Sequence, residues 1–198
     1  QQAHKLTVIV QGIGDPLGIH FLGFDFTPAP FILQESSAGH ALEMLSDSPI
    51  GGLASVSSAA FLMSVLDSAQ FKRSGFNGLM LPVLEDSVLA QRAAEGKLTL
   101  KDLLLYSTVC GTGLDTVPLP GEITESQLQS ILLDVASLSV RLQKPLTARL
   151  MPIPGKKAGE MTSFDFPFFT NSRVMSPECT GLSGLLSTTS AYGIEPYS

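Results

Sequence analysis

TLKDLLLYSTVCGTGLDTVPLPG, residues 99–121, joins a helix, a glycine turn and a short apolar strand closed by prolines, and its reading decides the fold. Thr99 and Asp102 have capping-box spacing, in which each side chain bonds the other's backbone N–H. A helix is therefore predicted to start at Thr99 and run towards Cys110, with Leu100, Leu103, Leu104 and Ser107 on one side. Gly111 and Gly113 stop it, because glycine accepts positive φ and lets another backbone approach closely. Residues 114–119 form the next strand, ended by Pro118, Pro120 and Gly121.

The same unit recurs outward in both directions. Upstream, residues 76–84, FNGLMLPVL, are a nearly continuous apolar run, as a strand covered on both faces requires. Glu85 and Asp86 follow it and open a helix over 87–95. Downstream, a second capping pattern at Thr124 and Gln127 starts a helix to about residue 143, with Leu128, Ile131, Leu132, Val135, Leu138 and Leu142 at helical spacing. Pro145 ends it, residues 146–153 (LTARLMPI) form a strand, and residues 164–169 (FDFPFF) read as an edge strand that tolerates Pro167.

The amino-terminal part reads as a helix over 2–17, an aromatic strand over 20–26 halted by Pro28 and Pro30, a helix over 36–45, and a longer helix from Gly51-Gly52 to about residue 71. Alternation of helices and strands predicts an α/β domain over residues 1–175 with at least three parallel strands, followed by a Ser/Thr/Gly-rich tail over 176–198. The strands are too few to close a barrel of about eight, so the sheet is open or a partial barrel.

Composition limits the function. Net charge −6 argues against nucleic acid, since phosphate recognition needs a basic face. No run has the unbroken apolar content of a membrane span, and no basic region precedes an apolar core as in a signal peptide. A hydrophobic fraction of 44% against 15% charged residues leaves more apolar surface than a lone soluble chain covers, so a partner is expected. It would be an amino-terminal half, a second copy or another chain. Two cysteines make no disulfide framework, and a cytoplasmic or other reducing compartment is the default. A first residue Gln1, without Met, suggests a processed or truncated product.

Candidate site residues cluster at predicted strand and helix ends. Cys110, at a helix end beside a glycine turn, and Asp115, just past Gly113, are the catalytic candidates. Asp25, Glu85 and Asp86 each follow an apolar strand where a parallel sheet opens, and are candidates for a hard divalent cation such as magnesium. Glu35, Arg149, Lys156 and Lys157 complete the ligand-binding set, the lysines facing a ligand's anionic end. The competing reading makes each acid a cap for its own helix or turn, and Cys110 a small buried hydrophobe.

FLGFDFTPAPF (21–31), SSAGHALEML (36–45), residues 76–121 and LTARLMPIPGKKAGEMTSFDFPFFTNSRVM (146–175) resemble the uncharacterised family called domain of unknown function 711. The resemblance covers residues 6–175. It implies a fold akin to the α/β barrel of glycyl-radical enzymes such as pyruvate formate-lyase, and members about twice this long, of which this chain is similar to the carboxyl-terminal half. Radical chemistry is not implied, because Arg173-Val-Met-Ser176 carries serine where a glycyl radical needs glycine. Two functions follow: an enzyme with a ligand or divalent-cation pocket at strand ends, or a non-catalytic subunit that assembles with a partner chain.

Overall fold

The computed structural model describes residues 2–187 and 193–197. Helices α1 (Gln2–Gly14), α2 (Ala38–Ser46), α3 (Ser55–Ser68), α4 (Ser87–Ala94) and α5 (Leu100–Ser107) precede strand β1 (Gly113–Pro120). Helix α6 (Glu125–Arg141) and strand β2 (Thr147–Ile153) complete the α/β alternation. Both capping boxes form: Thr99 accepts from Asp102 N–H while Asp102 accepts from Thr99 N–H, and Thr124 and Gln127 do the same.

β1 and β2 pair in parallel. Every residue of β1 is buried, whereas β2 is half-open along its length. The run 76–84 lies on the other side of β1, and a parallel bridge joins Pro82 to Asp115. Val83 N–H donates to Asp115 O at 3.0 Å and Gly111 N–H to Leu79 O at 3.0 Å. It does not become the regular third strand expected, because Pro82 has no N–H to extend the ladder. The regular sheet is thus two-stranded and open, smaller than the partial barrel that the family resemblance implies.

Two other strand expectations are corrected. Residues 20–26 meet the sheet nowhere; Phe24 instead bridges Arg73, with Phe24 N–H donating to Lys72 O at 2.9 Å. Residues 164–169 form a loop, because the Asn171 side chain occupies both backbone groups of Phe164 at 2.7 and 3.2 Å. Of the predicted tail, residues 193–197 and those up to 187 contain one short turn, Leu185–Ser187, and residues 188–192 and 198 lie outside the described residues.

Leu79, Leu81, Val83, Leu89, Leu103, Leu114, Val117 and Leu119 form the centre of the core between β1 and its helices. Gly78 and Gly111 cross there; a Cβ on Gly111 would lie 2.5 Å from Gly78 Cα, so neither tolerates a side chain. At one edge, Asp86 caps α4 through Val88 and Leu89 N–H, both at 2.9 Å, and also accepts from Ser37 Oγ at 2.6 Å and Gly39 N–H at 3.1 Å at the start of α2. One buried carboxylate therefore serves two helix N-termini, where the dipoles favour negative charge. Glu43 of α2 and Arg92 of α4 add a two-pronged ion pair, with Nε–Oε1 2.7 Å and Nη2–Oε2 3.0 Å.

Replacing Asp86 by Ala removes a buried cap and four charge-assisted hydrogen bonds, so a loss of about 2–4 kcal/mol is expected in urea denaturation. Exposed Glu35→Ala, the control, should stay within about 0.5 kcal/mol. Equal losses for the two variants would contradict this account of Asp86.

Candidate functional site

The parallel ladder of β1 and β2 is interrupted at one point. Leu114 faces Ala148 and Val117 faces Leu150, so Asp115 and Thr116 together oppose Arg149. This is a β-bulge, and Thr116 takes φ 41° there, a left-handed conformation that β-branched residues rarely adopt. Leu84 N–H donates to Thr116 Oγ1 at 3.2 Å and helps to hold it.

The bulge brings Asp115 to Arg149, whose Nε donates to Asp115 Oδ1 at 2.5 Å. The same guanidinium meets Glu85 through Nη1–Oε1 and Nη2–Oε2, both 3.0 Å. It is held more firmly protonated than an ordinary arginine, first by the bond to Asp115 and then, against burial, by Glu85. Asp115 is 2% exposed, and its Oδ2 has no hydrogen-bond partner among the described residues.

Asp115 and Arg149 line a cavity of about 760 Å³ together with Asp25, Thr27, Ala29, Phe76, Met80, Thr112, Thr147 and Ala148. It opens beside the amino-terminal ends of β1 and β2, whereas the sequence expectation put the pocket at their carboxyl ends. Asp25 is a clasp within its wall. Its Oδ1 accepts from Thr27 N–H and Asn77 N–H at 3.0 Å and from Thr27 Oγ1, and its Oδ2 from Phe76 N–H at 2.9 Å. The Thr27 hydroxyl and then the Phe76 and Asn77 amides hold the carboxyl down to about 2.

The other expected residues lie elsewhere. Asp86 is saturated in the core edge by the two helix caps and does not join Asp25 and Glu85. Cys110 is buried among Tyr106, Leu103 and Leu79 in the core and does not line this cavity. Lys144 is pushed down by burial and donates to Ser107 O at 2.9 Å. Glu35 is exposed in the turn Gln34–Ser36. Lys156 and Lys157 lie beyond the far end of β2, where Lys157 shares a second cavity, about 720 Å³, with Glu122, Gln127, Glu178 and Cys179.

Asp25, Glu85 and Asp86 therefore do not fit a divalent cation, which needs about six oxygen ligands. Asp86 is spent on caps, Glu85 on Arg149 and Asp25 on its turn. Among the described residues no group of three or more His, Cys, Asp or Glu side chains stands close enough to hold a metal. What sequence reading missed is the threonine content of the cavity: Thr112 and Thr147 flank the bulge, and neither belongs to a motif.

The family described as Uncharacterised ACR (DUF711) matches residues 1–172, and the chain belongs to it. A UPF0210 protein of Pyrobaculum aerophilum is 35% identical over 166 residues, covering 80% of this chain and 37% of that one. One from Oleidesulfovibrio alaskensis is 32% identical over 161 residues (79% and 35%), and one from Methanocaldococcus jannaschii 31% over 170 (82% and 37%). The chain thus spans less than half the length of the curated relatives it matches. No solved structure matches it. No helix among the described residues is long and apolar enough to cross a membrane, and Cys110 and Cys179 are both free.

The depressed Asp25 value sets a pH dependence. Because its folded pKa lies below the ordinary aspartate value of 3.8, the clasp contributes its full stability above that value and loses it as pH falls through about 2. A carboxyl-detected NMR titration should show Asp25 with its midpoint near 2 and the Phe76 and Asn77 amides moving with it. A midpoint near 3.8 would mean that the clasp is open in solution.

Proposed function

We propose that this DUF711 chain is a ligand-binding α/β unit whose pocket is the cavity at Asp115 and Arg149. One observation carries the reading: a buried carboxylate, fixed on one oxygen by arginine, keeps its second oxygen without a protein partner in the wall of a cavity of ligand size. Buried polar atoms are normally satisfied, and the exceptions gather at sites that bind or react. In this reading Arg149, half-exposed in the cavity wall, presents to the ligand the two N–H groups it does not give to Asp115 and Glu85, and the buried Asp115 fixes its orientation. Cys110, Lys156 and Lys157 stand outside the pocket, and no step passes through a metal.

A second reading, of a subunit that assembles with another polypeptide, is favoured by α1. Leu6, Val8, Ile9 and Ile13 are exposed there, and Gly14 is the helix's one buried residue. Helix α1 packs chiefly on the turn that follows it, Asp15–Leu17. Among the described residues the outer edge of β2 has no partner strand. The remainder of a full-length family chain, which would include the expected amino-terminal half, or a second copy, would cover both.

In an NMR fragment screen, hits should move the amides of Thr112, Thr147 and Arg149, and Ala29→Trp at the exposed cavity wall should erase them. Hits confined to the cavity of Lys157 and Cys179 would overturn the pocket assignment. For assembly, sedimentation should give a species heavier than the 21.0 kDa chain, and Leu6→Gln with Ile9→Gln and Ile13→Gln should return it to that mass with unchanged circular dichroism. A wild-type monomer at high concentration that binds no hydrophobic dye would remove the second reading.

A further inference from the structure

We infer that residues 176–182 are a lid over the cavity at the carboxyl ends of β1 and β2, one that opens and closes while the core stays folded. The inference is independent of the pocket at Asp115. Residues 176–180 form one wall of the carboxyl-end cavity, about 720 Å³, and the loops that leave β1 (Pro120, Glu122, Ile123) and β2 (Lys157, Ala158) form others. The match to the family ends at residue 172, so the cover begins just beyond it.

The near end of the segment is fixed. Val174 and Met175 are buried, and Met175 N–H donates to Pro118 O at 2.8 Å. Beyond Met175 the character of the chain changes. Each of residues 176–182 is half-buried or exposed. Among the described residues no backbone-to-backbone hydrogen bond joins this segment to the rest of the fold. Side chains of α5 and α6 hold it instead. Lys101 Nζ meets Glu178 Oε2 at 2.6 Å, and Gln127 Nε2 donates to Cys179 O at 2.7 Å. Ser126 Oγ accepts from Leu182 N–H at 2.8 Å and donates to Leu182 O at 3.3 Å.

These contacts are few and lightly buried. Both members of the Lys101–Glu178 pair are exposed, where an ion pair contributes little and salt screens it. Ser176 and Glu178 also line a smaller cavity of about 210 Å³ with Thr99 and Gly159, so the segment is backed by open space as well as by α6. Glu178 takes φ 49°, a left-handed conformation that a glutamate relaxes once released. Gly181, at φ 102°, lies against α6; a Cβ there would stand 2.6 Å from Ser126 Oγ, so the closed position needs glycine. A segment that buries no residue, carries strain and is pinned by side chains belongs to the low end of a fold's local stabilities, from which lids are drawn.

Amide hydrogen exchange of the full chain, read by NMR with and without low urea, tests the lid. Leu182 N–H should exchange about a hundredfold or more faster than Val83 N–H, which is bonded to Asp115 O beside the sheet, and should not depend on urea. Ser126→Ala, which removes both Leu182 bonds, should speed Leu182 exchange about tenfold and leave Val83 unchanged. Gly181→Ala should do the same. In both variants iodoacetamide should label Cys179 faster, with buried Cys110 unaffected. If Leu182 exchanges only together with Val83 and with the same urea dependence, the segment is a fixed part of the fold. If Leu182 N–H is unprotected in the wild type, or both variants leave its exchange unaltered, the closed position is not held by these contacts. Any of these results overturns the lid.

Discussion

The bulge that sets Asp115 and Thr116 against Arg149 ties the sheet to the cavity. In a regular parallel ladder successive side chains alternate between faces, and Asp115 would sit one register step from its present place. The extra residue alters that alternation and leaves a threonine at φ 41°, a conformation worth about 1–3 kcal/mol of strain. The strain is offset locally. Asp115 O accepts from Val83 N–H, Thr116 Oγ1 from Leu84 N–H, and Asp115 Oδ1 from Arg149, so two segments converge on two residues. The irregularity of the run 76–84 belongs to the same arrangement: with Pro82 opposite Asp115, the ladder on that side is already short of a donor.

Asp25, Asp86 and Asp115 look alike in sequence, each an acid beside an apolar run and a turn, yet partner number separates them. Asp86 accepts four bonds in the interior and has no capacity left. Asp25 accepts as many at the surface, and its work is to close residues 25–27 onto 74–77. Asp115 alone of the three is buried with one oxygen uncommitted. A carboxylate's chemistry depends on which of its lone pairs the fold consumes, and this is invisible from its neighbours in the chain.

What was legible in the sequence is what local rules control. The two capping boxes and the proline-closed strands β1 and β2 follow from residues within a few positions of one another, and the structure has them, whereas α5 ends at Ser107, short of the expected Cys110 and before either glycine. Contacts made at long range were not legible. Asn171 turns FDFPFF into a loop from outside that stretch, and Lys72 and Ser74 claim Phe24 before any sheet can. Cys110 is buried because Gly78 and Gly111 let two backbones cross beside it, a packing event that spacing does not encode. The pocket's side was misplaced for a similar reason. The rule that puts ligands at strand carboxyl ends presumes a regular sheet, and here the bulge near the amino-terminal ends opens the wall instead.

Helix α1 tests how far the apolar composition can be explained inside this chain. Leu6, Ile9, Val10 and Ile13 lie within about 100° around the axis and form one exposed stripe, with Val8 alone on the opposite side. A single neighbouring surface could bury that stripe and leave only Val8 in water. Such a stripe is normally covered by another element. Enclosure needs more chain than the following turn provides, and the family's curated members have it, since this chain covers 37% of the length of its Pyrobaculum relative. The surface excess on α1 thus lies where one more layer would fit, which supports assembly with further chain as a property of this fold.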